Sequence, residues 1–126
     1  MKDIINTNNA PAPIGPYNQA VKAGNTLYVS GQIALSPQTG ELILGSIAEQ
    51  TKTVLENLHA ILKEAGYSFQ DVVKTSIFLT DMNNFSVVNE VYGEYFTENA
   101  PSRETVAVKG LPKGVDVEIS CIAWKA

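Results

Sequence analysis

Cysteine and histidine are almost absent from this 126-residue sequence, which has one of each, Cys121 and His59. A single cysteine excludes a disulfide within the chain and is typical of proteins in a reducing compartment. Because no cysteines and histidines cluster at metal-ligand spacing, we expect no metal site. No carboxylate or hydroxyl has a spacing that would orient His59 for catalysis, so we expect this side chain to be solvent-exposed.

Clusters of positive charge and long apolar runs are missing as well. The nine basic residues are scattered through a chain with a formal net charge of −4, whereas nucleic-acid-binding surfaces need clustered Lys and Arg. No stretch approaches the roughly 20 apolar residues of a membrane-spanning helix, and the N-terminus lacks the apolar segment of a signal peptide. We therefore expect a cytoplasmic protein with neither nucleic acid nor a membrane as a partner.

The residues that are present indicate one globular domain spanning residues 1–126. The composition is 44% hydrophobic and 17% charged, which is ordinary for a globular domain but low in charge. No linker, repeat or low-complexity segment divides the chain. Low charge together with many apolar strand residues suggests that another subunit covers part of a sheet.

Hydrophobic spacing predicts two helices. Ser46 and Glu49 have the spacing of a capping box, apolar residues then recur every 3.6 positions, and Gly66 supplies a C-terminal stop. A second helix is predicted after a cap at residues 81–84, with an aromatic stripe that begins at Phe85 and an end near Asn99. We interpret the aromatic stripe as core packing rather than as a ligand site.

Alternating residues predict strands at 17–21, 27–34 and 71–80, after an irregular arm at residues 1–13. Gly31 interrupts the second strand, and its missing side chain leaves room for another group to approach the backbone closely.

Turn-forming residues at 110–114 predict a C-terminal hairpin between a strand around Val106 and a strand at 115–124. The resulting order, ββαβαββ, indicates an α+β fold with one mixed sheet and both helices on one face. The uncovered face would hold Ile122 and Trp124, which favours a partner subunit as its cover.

Alternation along this hairpin assigns its side chains to two faces. Cys121 falls on the apolar face of its strand, so we expect a buried thiol rather than a reactive one. Arg103 and Thr105 are predicted to share the other face with Glu118. A guanidinium and a carboxylate would then lie on the same side of one hairpin.

Motifs spread over nearly the whole length resemble those of the Rid family, close to its RidA branch (reactive intermediate/imine deaminase A). The C-terminal pattern is specific, since Arg103 is followed by hydrophobic residues, a basic residue, Leu-Pro and then Glu118. The matching segments, in chain order, are Ala12-Pro13-Ile14-Gly15-Pro16-Tyr17, Ser30-Gly31-Gln32-Ile33, Asn57-Leu58, Val73-Lys74-Thr75, Asp81-Met82, Asn89 with Tyr92, Pro101-Ser102-Arg103 and Val117-Glu118-Ile119.

This resemblance implies a chorismate-mutase-like fold whose sheets form a homotrimer around a central barrel, with three clefts between subunits. It implies that Arg103 grips the substrate carboxylate and that Glu118 holds and activates a water. The other pocket residues that it implies are Gly31 and Thr105 through their backbone groups, Tyr17 as lining, and Ser30 and Asn89 nearby.

The implied activity is hydrolytic deamination of 2-imino or enamine acids, such as 2-iminobutanoate and 2-iminopropanoate, to 2-oxo acids and ammonia. Such an enzyme pre-empts damage by reactive enamines and needs no cofactor. An arginine can bind the substrate carboxylate through two charge-assisted hydrogen bonds, which would set the C=N carbon beside a water held by Glu118.

Three other interpretations stay open on the sequence. Arg103 and Glu118 could form only a structural ion pair across subunits. A trimeric module could sense 2-oxo acids or related metabolites without turnover, which would need the arginine alone. A ribonuclease or translation inhibitor, an activity attached to some family members, is disfavoured by the acidic balance.

Two positions depart from the family pattern. Many relatives carry Cys where Thr105 stands, and we expect the change to spare an activity that uses only the backbone there. Glu104 occupies a position that is usually small or apolar. Alternation points Glu104 away from Arg103, so we expect it to affect packing or the trimer contact rather than chemistry.

Overall fold

The computed structural model describes residues 1–126 as six strands and two α-helices. All six strands form one sheet in the order β1-β2-β3-β6-β4-β5, and only β4 and β5 run parallel. The expected α+β fold with one mixed sheet is therefore confirmed. The elements are β1 Lys2–Ile5, β2 Ala20–Ala23, β3 Thr26–Gln32, α1 Ile47–Glu64, β4 Val72–Leu79, α2 Phe85–Tyr95, β5 Ser102–Ala107 and β6 Val117–Trp124.

Helix α1 begins and ends where its local signals predict. The Ser46 hydroxyl accepts a hydrogen bond from the Glu49 backbone N–H at 3.2 Å, and Gly66 follows the helix with a φ of 82°. Glycine reaches this left-handed conformation without the steric penalty of other residues, so it stops the helix cleanly. His59 is exposed on α1, as expected.

Helix α2 begins after the predicted cap but ends earlier than predicted. Asp81 caps a short 3₁₀ turn over Met82–Asn84, and the α-helix starts only afterwards. The helix stops at Tyr95 because Phe96 leaves helical geometry and buries its ring against Tyr92, with ring centroids 4.5 Å apart. The expected end near Asn99 was thus four residues too late.

Both helices pack on one face of the sheet around a core of 22 buried residues. The α1 stripe supplies its centre, with Leu55, Leu58 and Ile61 at 0% exposure. Cys121 joins this core, and burial raises the pKa of its thiol to about 12. The thiol therefore stays protonated and unreactive, as expected. Neither helix is long and apolar enough to cross a membrane.

The N-terminal residues include a strand that was not predicted. Lys2–Ile5 pair with Ala20–Ala23 in antiparallel register, so the expectation of an irregular arm is wrong for these four residues. The strand lies at the sheet edge and three of its four side chains are exposed. Because the strand has no buried face, its sequence lacks the hydrophobic alternation from which strands are predicted.

The predicted C-terminal hairpin is wrong. Strand β4 lies between β5 and β6, pairing in parallel with β5 and antiparallel with β6. The turn chemistry at residues 110–114 is present as a 3₁₀ turn, but the connection carries the chain across β4. Strands β4 and β6 both have eight residues and alternate buried side chains, whereas β5 has six residues and none of them is buried.

This topology puts Arg103 and Glu118 on opposite faces. Arg103 lies opposite Thr75, whose side chain faces the helices, whereas Glu118 lies opposite Phe78 on the uncovered face. The expectation that Arg103, Thr105 and Glu118 share one face is therefore wrong. In a hairpin, these three side chains would have shared one face. Because β4 lies between β5 and β6, the faces are set by the register of each strand on β4.

The uncovered face of the sheet carries several large apolar side chains. Tyr28, Val106 and Trp124 are 51%, 41% and 50% exposed on it, and Ile122 lies beside Tyr28. No element of the chain covers these side chains. Large apolar side chains left exposed on one face of a sheet are typical of a site of association.

Candidate active site

The first group of candidate residues surrounds a β-bulge. The pairing of β3 with β6 is regular to Val29 and resumes at Gln32, so Ser30 and Gly31 together face one residue of β6. Bulges of this kind re-aim side chains and are common near active sites. Here the bulge turns the backbone of Gly31 toward Glu118.

Glu118 lies directly against Gly31. A Cβ built on Gly31 would lie 2.6 Å from Glu118 Oε1 and 2.8 Å from its Cδ, closer than real Cβ atoms approach. The group expected to come close to the Gly31 backbone is therefore the carboxylate of Glu118. Partial burial raises the pKa of Glu118 above its ordinary value, because burial removes water from the charged form.

Tyr17 and the segment before it form the rest of this cleft. The Tyr17 hydroxyl accepts a hydrogen bond from the Ile14 backbone N–H at 3.2 Å. The cleft is lined by Glu118, Gly31, Tyr17 and apolar residues that include Pro13 and Ile14. We call these residues the carboxylate half-site.

The carboxylate half-site is a small cleft that opens on the uncovered face. The space in it is about 40 Å³. Ser30 faces inward rather than toward a ligand, since its hydroxyl donates to the Asn18 carbonyl at 2.7 Å. It supports the bulge instead of lining the cleft.

The second group of candidate residues lies on the other face, where α2 meets β5. The Arg103 Nη1 donates to Asn89 Oδ1 at 2.9 Å. Its guanidinium carbon lies 4.9 Å from the ring centroid of Tyr92 and 5.6 Å from that of Phe85, within the range of cation–π attraction. We call Arg103, Asn89, Tyr92 and Phe85 the arginine half-site.

Tyr92 is fixed in turn by the core. Its hydroxyl and that of Thr75 are 2.7 Å apart, and both residues are buried. Burial raises the pKa of Tyr92, against smaller lowering effects of the Thr75 hydrogen bond and the Arg103 charge. The phenol is therefore a neutral support for the guanidinium. One N–H of Arg103 is used by Asn89, and the exposed head keeps donors for a carboxylate.

Thr105 lies two residues from Arg103, on the same face of β5. Its hydroxyl is buried and has no hydrogen-bond partner in the chain. Because β5 is an edge strand, the backbone groups on its outer side are also unpaired within the chain. These groups are available to a ligand or to another subunit.

Glu104 points away from Arg103, as alternation predicted. It accepts a hydrogen bond from Ser76 Oγ at 2.9 Å and forms an ion pair with Lys74 at 3.2 Å. The Ser76 hydrogen bond, helped by Lys74, lowers the pKa of the Glu104 carboxyl. Glu104 is thus a paired group of the uncovered face and takes no part in either half-site.

The chain therefore brings the candidate residues together in two groups rather than one. Glu118, Gly31 and Tyr17 meet on the uncovered face, and Arg103 and Asn89 meet on the other. Sequence reasoning missed the support residues, because Phe85 and Tyr92 were interpreted as an ordinary core stripe and Gln19 fell within the strand predicted at 17–21, whereas β2 begins only at Ala20. No three His, Cys, Asp or Glu side chains are arranged to hold a metal ion.

Comparison with known proteins places this geometry in a family. A family model described as Endoribonuclease L-PSP matches residues 7–125. A RutC family protein of Pyrococcus horikoshii is 56% identical over 125 residues, which is 99% of each chain. The 2-iminobutanoate/2-iminopropanoate deaminase of Mus musculus is 48% identical over 98% of this chain and 91% of its own length.

A solved structure gives the same result. The crystal structure of RidA from an Antarctic Psychrobacter species superposes with a TM-score of 0.94 at 46% identity, covering 98% of this chain and 99% of that one. The expected chorismate-mutase-like fold is confirmed. Together with the motifs around Arg103 and Glu118, these matches show that the chain belongs to the Rid family and to its RidA branch.

Proposed function

We propose that this protein hydrolyses 2-imino acids, such as 2-iminopropanoate and 2-iminobutanoate, to 2-oxo acids and ammonia. The observation that carries the proposal is that a chain of the RidA branch holds both a carboxylate-binding group and a general base in suitable surroundings. Arg103 is a supported guanidinium with free donors, and Glu118 is a desolvated carboxylate held over a glycine backbone. The 48% identical mouse relative is a deaminase of this class.

The arginine half-site suits the carboxylate that every 2-imino acid carries. A guanidinium binds a carboxylate in its own plane through two hydrogen bonds, which fixes the orientation of the neighbouring C=N group. Asn89, Tyr92 and Phe85 hold the guanidinium before the substrate arrives. Less freedom is then lost on binding than with an unsupported side chain.

The carboxylate half-site suits the hydrolytic step. Glu118 takes a proton from a bound water as the water oxygen adds to the carbon of the protonated imine. Protonated Glu118 then gives its proton to the carbinolamine nitrogen, the C–N bond breaks to release ammonia, and the carboxylate takes up the hydroxyl proton as the C=O bond of the 2-oxo acid forms. A carboxylate whose pKa is raised accepts a proton more readily than an ordinary one, so partial burial of Glu118 favours its role as a general base.

The two half-sites need a second copy of the chain to act together. Arg103 and Glu118 leave opposite faces of one sheet, and the cleft beside Glu118 is open on the uncovered face. In a homotrimer, the helix-side edge of one subunit can meet the uncovered face of the next. Such a head-to-tail contact repeats around a closed ring and would bury Tyr28, Val106 and Trp124.

The alternative is a trimeric binding module that senses 2-oxo acids without turnover. Both proposals use Arg103, but only catalysis needs a desolvated Glu118. Retention of that carboxylate against Gly31 favours the enzyme. An unreacting site would gain nothing from burying a negative charge.

A coupled assay tests the proposal. An amino-acid oxidase generates imines from alanine, 2-aminobutanoate, leucine and phenylalanine, and the appearance of each 2-oxo acid is followed with and without this protein. We expect the protein to accelerate hydrolysis, and the Glu118→Ala variant prepared in parallel to lose the effect. Binding of pyruvate without any acceleration would support the sensing module and refute the enzyme.

A further inference from the structure

Gln19 is a buried amide that organises a segment without secondary structure. The residue is 2% exposed. Its Oε1 accepts a hydrogen bond from the Thr7 backbone N–H at 2.6 Å. Its Nε2 lies 3.0, 3.2 and 2.8 Å from the carbonyl oxygens of Thr7, Ala10 and Pro11. One side chain thus bonds the backbone at three positions of the segment between β1 and β2.

The chemistry of this segment explains why a glutamine is needed. Residues 6–19 contain three prolines, which have no backbone N–H, and they form no strand or helix that would pair their carbonyls. A carboxamide offers two N–H donors and an acceptor oxygen in one planar group. Glutamate has no donors for the three carbonyls, and leucine has neither donor nor acceptor.

The segment held by Gln19 is a wall of the carboxylate half-site. Pro11, Pro13, Ile14 and Tyr17 line the cleft in which Glu118 lies. Gln19 lies at the base of the same cleft, with its carboxamide already bonded to this segment. Within this wall, the Gln19 side chain bonds the backbone at Thr7, Ala10 and Pro11, whereas Glu118 and Arg103 lie on paired strands.

The Gln19 backbone also joins the wall to the bulge. Its N–H donates to Asn6 Oδ1 at 3.0 Å, and its carbonyl accepts from the Ser30 N–H at 2.9 Å. The Ser30 hydroxyl donates to the neighbouring Asn18 carbonyl. A continuous chain of hydrogen bonds thus runs from residues 7–11 to the bulge that presents Gly31 to Glu118.

We infer that Gln19 is a positioning residue for the deamination reaction, which holds the 7–17 segment in place as the wall of the substrate cleft. The inference rests on the proposed function. Gln19 does not touch the reacting atoms, since its carboxamide is used by the segment. Its loss should therefore weaken substrate binding more than the chemical step, because Arg103 and Glu118 keep their own supports.

Substitutions at Gln19 with two independent readouts test this inference. Gln19→Leu removes all the side-chain hydrogen bonds, and Gln19→Glu removes the donors at nearly constant volume. Amide hydrogen exchange over residues 6–12 reports on the segment, and KM and kcat for 2-iminopropanoate report on the site. Thr51→Val is the matched control, because it removes a buried hydroxyl that donates to the Ile47 carbonyl at 2.8 Å within α1.

We expect both Gln19 variants to exchange faster over residues 6–12 and to raise KM about fivefold or more while kcat stays within about twofold. Thr51→Val should leave segment exchange and KM unchanged. Should Gln19→Leu fail to fold, Gln19→Asn, which keeps the amide but shortens its reach, should give the same pattern more weakly. Unchanged segment exchange, or an unchanged KM beside faster exchange, would overturn the inference.

The same experiment separates this inference from the proposed function. A wild-type protein that does not accelerate imine hydrolysis refutes the proposed function, and with it any role of Gln19 in deamination. A wild-type protein that is active, with a Gln19→Leu variant whose KM is unchanged, refutes only the positioning role.

Discussion

Arg103 and Glu118 leave opposite faces of the same sheet, because Arg103 is in register with Thr75 and Glu118 with Phe78 on the strand between them. Side chains opposite one another on neighbouring strands share a face, and consecutive positions alternate. Thr75 and Phe78 are three positions apart on β4, so their faces differ. Under the proposed function, the guanidinium of one chain and the carboxylate of a second chain would therefore meet at a common ligand.

Subunit mixing gives a direct test of this arrangement. Arg103→Ala and Glu118→Ala homomers should each be inactive, since every site lacks one partner. After the two variants are mixed one to one under conditions that exchange subunits, about a quarter of the sites of a cyclic trimer should combine an intact arginine with an intact glutamate. We expect roughly that fraction of wild-type deaminase activity to return.

The control is a mixture of Arg103→Ala with a second arginine variant, Arg103→Gln, in which no site can be intact. Light scattering should show the same assembly for each mixture. Activity that stays absent when mixed trimers have formed would contradict a site shared between subunits.

What the sequence predicts well is local. Helix α1 was predicted to its first residue because the Ser46 cap, the 3.6-residue spacing and Gly66 are all read within one segment. The alternation of β6 was also right, since Cys121 and its neighbours carry their own burial pattern. These features need no knowledge of distant partners.

Strand pairing depends on contacts between distant segments, and the predicted pairing of β5 with β6 was wrong. Turn residues between β5 and β6 favoured a hairpin, yet β4 inserts between them. The relation between Arg103 and Glu118 depends on that register and cannot be obtained from either strand alone. The role of Gln19 could not be predicted for a similar reason. The carbonyl groups that it bonds lie 8 to 12 positions away, in a segment without secondary structure.

Gly31→Ala should displace the catalytic carboxylate. The new Cβ would lie 2.6 Å from Glu118 Oε1, so the carboxylate must move away from its present position. A misplacement of about 1 Å can reduce a rate by about two orders of magnitude, so we expect kcat to fall 10- to 100-fold. Steady-state kinetics on 2-iminopropanoate measures the effect.

Gly93→Ala is the matched control for this change. Gly93 lies in α2, and a Cβ there meets nothing within 4 Å. Alanine in a helix interior is preferred over glycine by roughly 1 kcal/mol, so this variant should be slightly more stable and fully active. Equal activity of the two variants would show that the contact of Gly31 with Glu118 is unimportant.

Glu118→Gln should lose the reaction rate and gain stability at neutral pH. Burial raises the pKa of Glu118 in the folded protein above its value in the unfolded chain, so protonation of Glu118 stabilises the native state. This stabilisation is fully present at pH values below the pKa of the unfolded chain. It is lost as the pH rises through the pKa of the folded protein. Glutamine carries no such charge, so its Tm should exceed that of the wild type by a few degrees at pH 7.5.

The difference in Tm should shrink as the pH approaches 4, where Glu118 is increasingly protonated. Thermal unfolding of both proteins at several pH values measures the trend. Pyruvate affinity at pH 7.5 should stay close to that of the wild type, because Arg103 is unchanged. A Tm advantage that grows toward acid pH would show that the sign of the shift is wrong.

Arg103→Lys should lose most of the activity although it keeps the charge. An ammonium cannot form the paired hydrogen bonds of a guanidinium, and it cannot reproduce the contacts with Asn89 and Tyr92. Loss of one charge-assisted hydrogen bond, about 1.5–3 kcal/mol, corresponds to a fall of roughly 10- to 100-fold in kcat/KM. Near-normal turnover by the lysine variant would show that the substrate carboxylate is not bound through paired hydrogen bonds from a guanidinium.

Thr105→Val should stabilise the protein without harming catalysis, because the hydroxyl that it removes has no partner within the chain. The hydroxyl is buried and unpaired, and an unsatisfied buried donor costs about 1–3 kcal/mol. Valine has the same shape without that group, so we expect the free energy of unfolding to rise by about 1 kcal/mol. The edge-strand backbone at this position is unchanged by the substitution, and with it the groups that would bind a ligand. Denaturant unfolding and deaminase kinetics measure the two effects, with Thr105→Cys as the companion variant. Loss of activity in the valine variant but not in the cysteine variant would contradict this prediction. The position would then need a side chain that can form a hydrogen bond, with its partner in a neighbouring subunit or in the substrate.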